Sequence, residues 1–277
     1  MSTPDRAVTT PPLDVAGITF DFGNTLVRVD REGLRAVVVA TAAALVARGV
    51  VADEAAFLRA WVAERDRQFR IQVPHLREVD LAERVLHVLA ALRGATVPAT
   101  DADAWDDAAA RELADPADIA FAVETYSSGF VATMAALPEA DATLRGAHAA
   151  GYRLGILSNW PLARTIDRYV DVAGWSDLLA AVIVSQRVGV IKPHPAIFGV
   201  AAEALGLAPD RLLHVGDDWA ADVVGAKRAG WRVAYLRGHQ RDTPLPTSTR
   251  DSSATPDVEL DSLSELLPRL GAGALTT

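Results

Sequence analysis

The second half of the chain alternates short apolar runs with helical patterns of about ten residues. Strands are predicted at Arg153–Leu157, Ala181–Ser185, Leu212–Val215, Arg232–Leu236 and Asp257–Leu260. Helices are predicted at Ala140–Ala150, Pro161–Val170, Pro195–Leu205, Ala220–Ala229 and Leu263–Leu270. This alternation predicts right-handed crossover units and a parallel sheet, with strands buried on both faces because they are almost continuously apolar.

The first half has a different organisation. Val15–Phe20 is a short apolar run that predicts one more strand, whereas residues 31–136 are rich in Ala, Leu, Glu and Arg with helical spacing. We therefore predict an α/β fold, with a Rossmann-like parallel sheet core flanked by helices and an all-helical cap domain inserted after the first strand. The core comprises residues 14–28 plus 137–277 with a mobile loop at 239–256, the cap comprises 29–136, and residues 1–13 form a disordered tail.

Charge and composition exclude several classes of function. A net charge of -9 argues against nucleic-acid binding, and the absence of cysteine rules out disulfides, thiol catalysis and zinc–thiolate sites. The longest apolar runs are shorter than the ~20 residues that a membrane helix needs, and no signal-peptide pattern is present. These observations predict a cytoplasmic enzyme without a membrane partner. They leave open whether the protein is a monomer or a homodimer.

Polar residues with distinct chemistry follow four of the predicted strands. In chain order they are Asp21, Ser158 with Asn159, Lys192, and Asp217 with Asp218 and Asp222. Loops at the carboxyl ends of neighbouring parallel strands share one crevice, so these side chains are expected to meet. Three carboxylates within six residues repel one another without a cation, and hard oxygen ligands suit Mg²⁺. A compact ammonium such as Lys192 suits a phosphoryl group.

Each of the four segments also has a purely structural explanation. Asp21 could form a turn, Ser158 or Asn159 could cap a helix, and Lys192 could be a surface lysine. The acidic segment could be a solvated turn. Their joint occurrence, in this order and at strand ends, favours one magnesium-dependent pocket for a phosphoryl group.

The four segments together resemble the motifs of the haloacid dehalogenase-like hydrolase superfamily. The resemblance covers residues 14–28 and 137–270, and the helical stretch between the first two motifs is similar to the cap that many members insert there. It implies a magnesium-dependent phosphatase that acts on a small phosphorylated metabolite through an aspartyl-phosphate on Asp21, assisted by Lys192 and Ser158. The implied metal ligands are Asp21, the carbonyl of Gly23, and Asp217, with Asp218 and Asp222 behind them. The implied phosphoryl donors are Thr25, Ser158, Asn159 and Lys192.

The chain departs from the family pattern at one position. Phosphatases of the superfamily usually carry a second aspartate, the general acid/base, two residues after the nucleophile, where this chain has Gly23. General acid–base help is worth about 10²–10⁴-fold, so alkyl phosphates are expected to turn over slowly. His194 and His75 are the two side chains that we consider as substitutes. Acyl and aryl phosphates, with better leaving groups, should tolerate Gly23 best.

Two other functions are compatible with the same pattern. The first is a dehalogenase-type hydrolase that forms an ester on Asp21, and the second is a regulatory protein that keeps the site only for binding. Dehalogenases of the superfamily need no metal and lack the doubled aspartate, so the Asp217-Asp218 pair favours phosphorus chemistry.

Overall fold

A computed structural model of the protein describes residues 13–238 and 242–270. All but the last residue of the predicted disordered tail, and residues 239–241 of the predicted mobile loop, lie outside these ranges. Six strands form one sheet in the order β3-β2-β1-β4-β5-β6, and every neighbouring pair is parallel. The strands are β1 Gly17–Phe20, β2 Arg153–Ser158, β3 Leu179–Val184, β4 Leu212–Gly216, β5 Arg232–Leu236 and β6 Val258–Leu260. The predicted α/β fold with a parallel sheet is confirmed.

Helices connect the strands and fill the interval between β1 and β2. That interval holds α1 Arg31–Ala47, α2 Glu54–Gln72, α3 Leu81–Leu92, α4 Asp107–Leu113, α5 Pro116–Thr133 and α6 Ala140–Ala149. The later helices are α7 Ala163–Val172, α8 Ser185–Val188, α9 Pro195–Leu205 and α10 Gly225–Arg228. None of the helices in the described part of the chain is long and apolar enough to cross a membrane.

The sheet is buried on both faces, as expected for parallel strands covered by helices. The helices α1 to α5 between β1 and β2 are called the helical insertion below, and their buried residues share the larger hydrophobic core with Leu213 and Val215 of β4. Leu212 of β4 belongs to a second core, with Phe198 of α9. Strand order reverses at β1, because β2 and β3 lie on one side of it and β4 to β6 on the other. The carboxyl end of β1 is therefore the topological switch point, where open α/β sheets bind their ligands.

Aromatic packing joins the helical insertion to the sheet. Phe130 of α5 lies 5.1 Å from Trp160 and 6.3 Å from Phe22, measured between ring centroids. Tyr169 of α7 packs edge-on against Phe22 at 5.3 Å. Trp160, which follows the Ser158-Asn159 segment, is thus a buried core residue.

A short segment of the insertion, residues 76–81, is hydrogen-bonded to the loops of the sheet domain. The backbone N–H of Ile191 donates to the carbonyl of Leu76 at 3.0 Å, and that of Glu78 to Gly189 at 3.2 Å. The N–H of Leu81 donates to Pro161 at 2.9 Å. The first two bonds attach the insertion to the loop that carries Lys192, and the third attaches it to the loop after β2.

Two of the predicted helices differ from the structure. Leu263–Leu270 contains two short 3₁₀ turns rather than an α-helix, because Pro268 has no backbone N–H to continue one. The predicted helix at Ala220–Ala229 is a π-helical turn, Trp219–Val224, followed by α10. A single π turn inside a helix is uncommon and is frequent at functional sites.

Glu78 makes the stability of the protein depend on pH. Burial raises the pKa of Glu78 to about 7; the hydroxyl of Ser185, the N–H of Val79 and the charge of Arg84 oppose this rise, and Asp80 adds to it. A carboxyl group whose pKa is higher in the folded chain than in the unfolded chain stabilises the fold at low pH. This stabilisation is lost as pH rises through the interval between the two pKa values, here 4.5 and about 7. Between pH 5 and 8 the free energy of unfolding of the wild type should therefore fall. We expect this fall to be smaller in Glu78→Gln by on the order of 2 kcal/mol.

Urea unfolding at several pH values measures this effect. Glu112→Gln, at an exposed position of the same insertion, is the matched control and should keep the wild-type pH dependence. Equal pH dependence in wild type and Glu78→Gln would contradict the role given to Glu78.

Candidate active site

The carboxyl ends of β1, β2 and β4 meet around one cavity of about 240 Å³. Of the residues predicted for the site, it is lined by Asp21, Gly23, Asn159, Lys192, Asp217, Asp218 and Asp222. Ser158 and Thr25 are fully buried beside it and are not among its described lining residues. The predicted side chains therefore do meet, but Lys192 reaches the cavity from the loop between α8 and α9 and not directly from the end of β3, as the prediction had it.

Lys192 is the central charge of the site. Its Nζ donates to Asp21 Oδ1 at 2.8 Å, to Asp222 Oδ1 at 2.6 Å and to the carbonyl of Leu157 at 2.8 Å. The ammonium thus uses its three protons on three acceptors, in a side chain that is only 2% exposed. Burial alone lowers the pKa of Lys192, but the two carboxylates raise it well above its usual value, so the lysine is held as a cation.

The carboxylates of the site have divergent environments. Burial raises the pKa of Asp21 to about 6 against the opposing charge of Lys192. Burial, and then the charges of Asp21 and Asp222, raise the pKa of Asp217 well above its usual value. Burial also acts on Asp222, but Lys192 and the N–H of His214 hold its pKa below the usual range. Negative charge is therefore unfavourable at Asp21 and Asp217 unless a further cation is present.

His214 is a member of this network that the sequence did not reveal. It lies within the apolar strand β4, where its Nε2 is 3.0 Å from Asp222 Oδ1 and its Nδ1 is 2.8 Å from the hydroxyl of Thr19. Burial, and then the charge of Lys192, lower the pKa of His214, so the ring is neutral. Because a carboxylate only accepts, Nε2 carries the proton and fixes Asp222. A histidine in an otherwise apolar strand is the one signal that could have indicated this.

Asn159 holds the backbone of Lys192. The N–H of Lys192 donates to Asn159 Oδ1 at 2.7 Å, and Asn159 Nδ2 donates to the carbonyl of Lys192 at 3.0 Å. Both polar atoms of the amide are used in this way. Asn159 was predicted to bind substrate, and the geometry gives it a second task, which is to position the lysine loop against β2. Thr25 likewise uses its hydroxyl on Asp217 Oδ1, at 3.3 Å.

The turn after β4 brings Asp222 back to the strand end. Asp218 accepts a hydrogen bond from the N–H of Ala221 at 2.8 Å, and Asp222 Oδ2 accepts from the N–H of Asp218 at 2.8 Å. A Cβ at Gly216 would lie 2.3 Å from the Asp222 carboxyl carbon, so only glycine fits there. The Gly-Asp-Asp sequence followed by Asp222 is thus one packed unit.

Gly23 lies against a second segment that crosses the cavity, residues 243–248, which we call the strap. A Cβ at Gly23 would lie 2.6 Å from Leu245 Cδ1. Leu245, Pro246, Thr247 and Ser248 line the cavity. The position at which the resemblance expects a second aspartate therefore faces an aliphatic side chain.

The strap is fastened on both sides of the site. Asn24, whose backbone is left-handed with φ 60°, donates through Nδ2 to the hydroxyl of Thr243 at 3.1 Å. Ser248 donates to Asp218 through its backbone N–H at 2.7 Å and through its hydroxyl at 2.8 Å. Mobility of residues 239–256 stays a prediction, and the described residues 243 and 248 are bonded to residues at the site.

The donor set fits a hard divalent cation. Asp21, Asp217 and Asp222 each offer a carboxylate oxygen, and these oxygens lie within 4.8 Å of one another. Asp222 already accepts hydrogen bonds from Lys192 and His214. Asp21 and Asp217 have pKa values raised by burial, so a cation would stabilise their charged forms. Carboxylate oxygens and waters are the ligands that Mg²⁺ prefers. Asp218, by contrast, already accepts three hydrogen bonds from Ser248 and Ala221.

The two histidines considered as proton donors lie elsewhere. His194 is the N-terminal cap of α9, where its Nδ1 accepts from the N–H of Ala196 at 3.2 Å. His75 is exposed in a 3₁₀ turn of the insertion. Neither is among the described residues that line the cavity.

Known protein families and sequences match this chain over most of the sheet and the helical insertion. The family model of haloacid dehalogenase-like hydrolases matches residues 15–230. Glyceraldehyde 3-phosphate phosphatase of Methanopyrus kandleri is 31% identical over 154 residues, which are 55% of this chain and 64% of that protein. Phosphoserine phosphatase of Thermus thermophilus is 34% identical over 130 residues, 47% of this chain and 49% of that protein. The chain thus spans less than two thirds of the length of these curated relatives.

Solved structures resemble the whole fold. A HAD phosphatase from Thermococcus onnurineus has a TM-score of 0.59 at 20% identity, with 93% of this chain and 99% of that chain covered. A 2-haloacid dehalogenase from Pseudomonas syringae has a TM-score of 0.61 at 20% identity, with 92% and 97% covered. At this identity the likeness concerns the fold, which both proteins share with this chain.

Proposed function

The chain belongs to the haloacid dehalogenase-like hydrolases, and we propose that it is a phosphatase that transfers the phosphoryl group of a small substrate first to Asp21 and then to water. The observation that carries this proposal is the Asp21–Lys192 pair at the carboxyl end of the central strand. Lys192 binds Oδ1 of Asp21 at 2.8 Å, which leaves Oδ2 as the attacking oxygen. Relatives named as phosphatases support phosphorus rather than carbon as the atom attacked.

The proposed reaction has two steps. A bond forms between Asp21 Oδ2 and phosphorus while the bond from phosphorus to the leaving oxygen breaks, and the electron pair departs with that oxygen. The leaving oxygen takes a proton from solvent if it is basic enough. Water then attacks phosphorus, the bond from phosphorus to Asp21 Oδ2 breaks with its electron pair returning to the carboxylate, and the water gives up a proton to solvent as inorganic phosphate is released. Lys192 stabilises negative charge near the reacting oxygens throughout, because its two carboxylate partners keep it protonated. Ser158 and Thr25, buried beside the cavity, are the further donors that we propose for the phosphoryl group; Thr25 would have to turn its hydroxyl away from Asp217 Oδ1, to which it donates at 3.3 Å.

We propose Mg²⁺ as the cofactor of this site. Asp21, Asp217 and the carbonyl of Gly23 would hold the ion, with Asp222 kept in place behind them by Lys192 and His214. A bound Mg²⁺ would neutralise charge on the phosphoryl oxygens. Without a cation, the partly buried Asp21 and the buried Asp217 are two neighbouring carboxylates with raised pKa values, so an ion also relieves their mutual repulsion. The cytoplasmic location and the choice between monomer and homodimer stay predictions.

A substrate panel tests the proposed function. The protein is incubated with acetyl phosphate, p-nitrophenyl phosphate, glyceraldehyde 3-phosphate, phosphoserine and L-2-chloropropionate, with Mg²⁺ or with EDTA. We expect phosphate release from the first two substrates in Mg²⁺, its loss in EDTA and its recovery when Mg²⁺ is restored.

Two results would overturn the proposal. Chloride release that persists in EDTA would assign a dehalogenase reaction to Asp21. An absence of turnover, together with thermal stabilisation by Mg²⁺ and phosphate, would assign a binding function.

A further inference from the structure

We propose that residues 76–81 of the helical insertion, which we call the bracket, position the catalytic loops of the sheet domain, and that Glu78 and Ser185 are the positioning residues. The catalytic loops are residues 159–162, after β2, and residues 189–194, which carry Lys192. This inference rests on the proposed phosphatase function and goes beyond it. It assigns a task in the reaction to two side chains that are not among the described residues lining the cavity.

The bracket pairs with the lysine loop as a short antiparallel ladder. The N–H of Ile191 donates to the carbonyl of Leu76 at 3.0 Å, and the N–H of Glu78 donates to the carbonyl of Gly189 at 3.2 Å. The residues between these two bonds form an antiparallel bridge. Because Ile191 directly precedes Lys192, the bracket holds the backbone on which the lysine is mounted.

Ser185, the first residue of α8, links the bracket to the loop after β2. Its hydroxyl donates to Glu78 Oε2 and accepts from the N–H of Trp160 at 2.8 Å. Glu78 Oε1 accepts from the N–H of Val79 at 2.8 Å, which fixes the carboxyl group. A hydroxyl has one proton to give and lone pairs to accept with, so this fully buried side chain serves both partners at once.

The next residue of α8 makes a second connection of the same kind. Gln186 Nε2 donates to Asp80 Oδ2 at 2.8 Å, and Gln186 Oε1 accepts from the N–H of Ala163 at 2.8 Å. The N–H of Leu81 donates to the carbonyl of Pro161 at 2.9 Å. The bracket is therefore bonded to both catalytic loops, directly and through two consecutive side chains of α8.

The two loops are also bonded to each other. Asn159, next to Trp160, accepts from the N–H of Lys192 at 2.7 Å and donates to the carbonyl of Lys192 at 3.0 Å. Hydrogen bonds and one peptide link thus run without a break from Glu78 through Ser185 to Lys192. A change at Glu78 or Ser185 acts on the lysine although neither residue reaches the cavity.

The position of Lys192 matters because its Nζ has to meet two acceptors at once. It donates to Asp21 at 2.8 Å and to Asp222 at 2.6 Å. A misplacement of about 1 Å caused far from the chemistry can cost about 10²-fold in rate. Because the ammonium stabilises charge that develops as phosphorus is attacked, the loss should fall on kcat rather than on KM.

Three variants and one control test the inference. Ser185→Ala removes the shared hydroxyl, Glu78→Leu removes the carboxyl group at similar size, and Glu78→Gln keeps a side chain that can still bond Ser185. Ser127→Ala is the matched control, because Ser127 is a fully buried hydroxyl that joins α5 to Thr165 of α7 at 3.2 Å, on the same boundary between insertion and sheet.

Two readouts are measured for each protein. The first is kcat and KM for acetyl phosphate in Mg²⁺. The second is hydrogen exchange of the peptide that contains the Ile191 and Lys192 amides, which reports how firmly the lysine loop is held and needs no turnover. Thermal melting checks that each variant is folded.

We expect Ser185→Ala and Glu78→Leu to lower kcat about 10-fold or more, to change KM by no more than about two-fold, and to speed exchange at Ile191 and Lys192. Glu78→Gln should keep most of the wild-type kcat and slow exchange. Ser127→Ala should match wild type in both readouts, which shows that loss of a buried hydroxyl at this boundary is not by itself enough.

The outcomes distinguish this inference from the proposed function. A folded Ser185→Ala with wild-type kcat and exchange would overturn the role of the bracket, and so would a loss in Glu78→Gln as large as that in Glu78→Leu. If Ser185→Ala does not fold, Glu78→Leu, at a position that is only partly buried, decides. A wild type that releases no phosphate from any substrate defeats the phosphatase, whereas hydrogen exchange still tests whether the bracket holds the loop.

Discussion

Replacement of Asp21 by asparagine is expected to lower phosphate release at least about 1,000-fold while the protein stays folded. An amide is too weak a nucleophile to attack phosphorus, so the covalent step is lost. Lys192 keeps Asp222 and the carbonyl of Leu157 as acceptors. The variant also removes one of three carboxylates whose oxygens lie within 4.8 Å, so the melting temperature should be equal or higher.

Phosphate release and thermal melting in the same buffer measure both effects. Asp14→Asn, at the largely exposed aspartate before the same strand, is the matched control and should keep wild-type turnover. If Asp21→Asn retains more than a small fraction of the activity, the nucleophile lies elsewhere. If it unfolds, the loss of activity carries no information about Asp21, and Asp21→Ser becomes the variant that decides the assignment.

Lys192→Met is expected to cost both activity and stability. It leaves Asp21 and Asp222 without their shared cation in a buried site, and breaking a buried pair in this way costs about 3–5 kcal/mol. Turnover should fall by at least about 100-fold, because one donor that stabilises developing charge is worth 10²–10³-fold. Urea unfolding in EDTA and phosphate release in Mg²⁺ measure the two losses.

The chain's other lysine is the natural control. Lys227 bonds Asp257 at 3.0 Å with 31% of its side chain exposed, so Lys227→Met should cost no more than about 1 kcal/mol. Turnover of that variant should match wild type. A loss of stability in Lys192→Met that only equals that of Lys227→Met would contradict the central position of Lys192 in the charge network.

The parts of the site that follow from local pattern could be predicted from the sequence. Asp21 and Asp217 come directly after apolar strands, and in a parallel sheet such positions share an edge. Lys192 also follows an apolar run, Val190-Ile191, but that run lies in the loop after α8 and not in a strand. The polar residues that complete the network could not be predicted in this way. Thr19 and His214 lie within two strands that pair in the sheet, and their contact depends on register.

Long-range packing explains the remaining differences. Leu245 lies close to Gly23 because the strap is hydrogen-bonded to Asn24 and Asp218 at the cavity, and no periodicity in residues 239–256 indicates that approach. The sequence did indicate a departure at Gly23, but its physical counterpart, an aliphatic side chain in the same space, is visible only in three dimensions. The predicted helix Leu263–Leu270 was wrong for a local reason. Pro268 has no backbone N–H to donate, so the segment does not form an α-helix although its apolar residues have helical spacing.

The central position of β1 has a consequence for the order in which the chain can fold. β1 is made first during synthesis, yet both of its neighbours, β2 and β4, follow the whole helical insertion. Asp21 meets Lys192 across 171 residues, and Thr25 meets Asp217 across 192. Such separations make the closing of the sheet slow relative to the formation of helices. The helices between β1 and β2 can therefore form while β1 still has no partner, and the pocket is assembled only after the residues that line it, as far as Ser248, have left the ribosome.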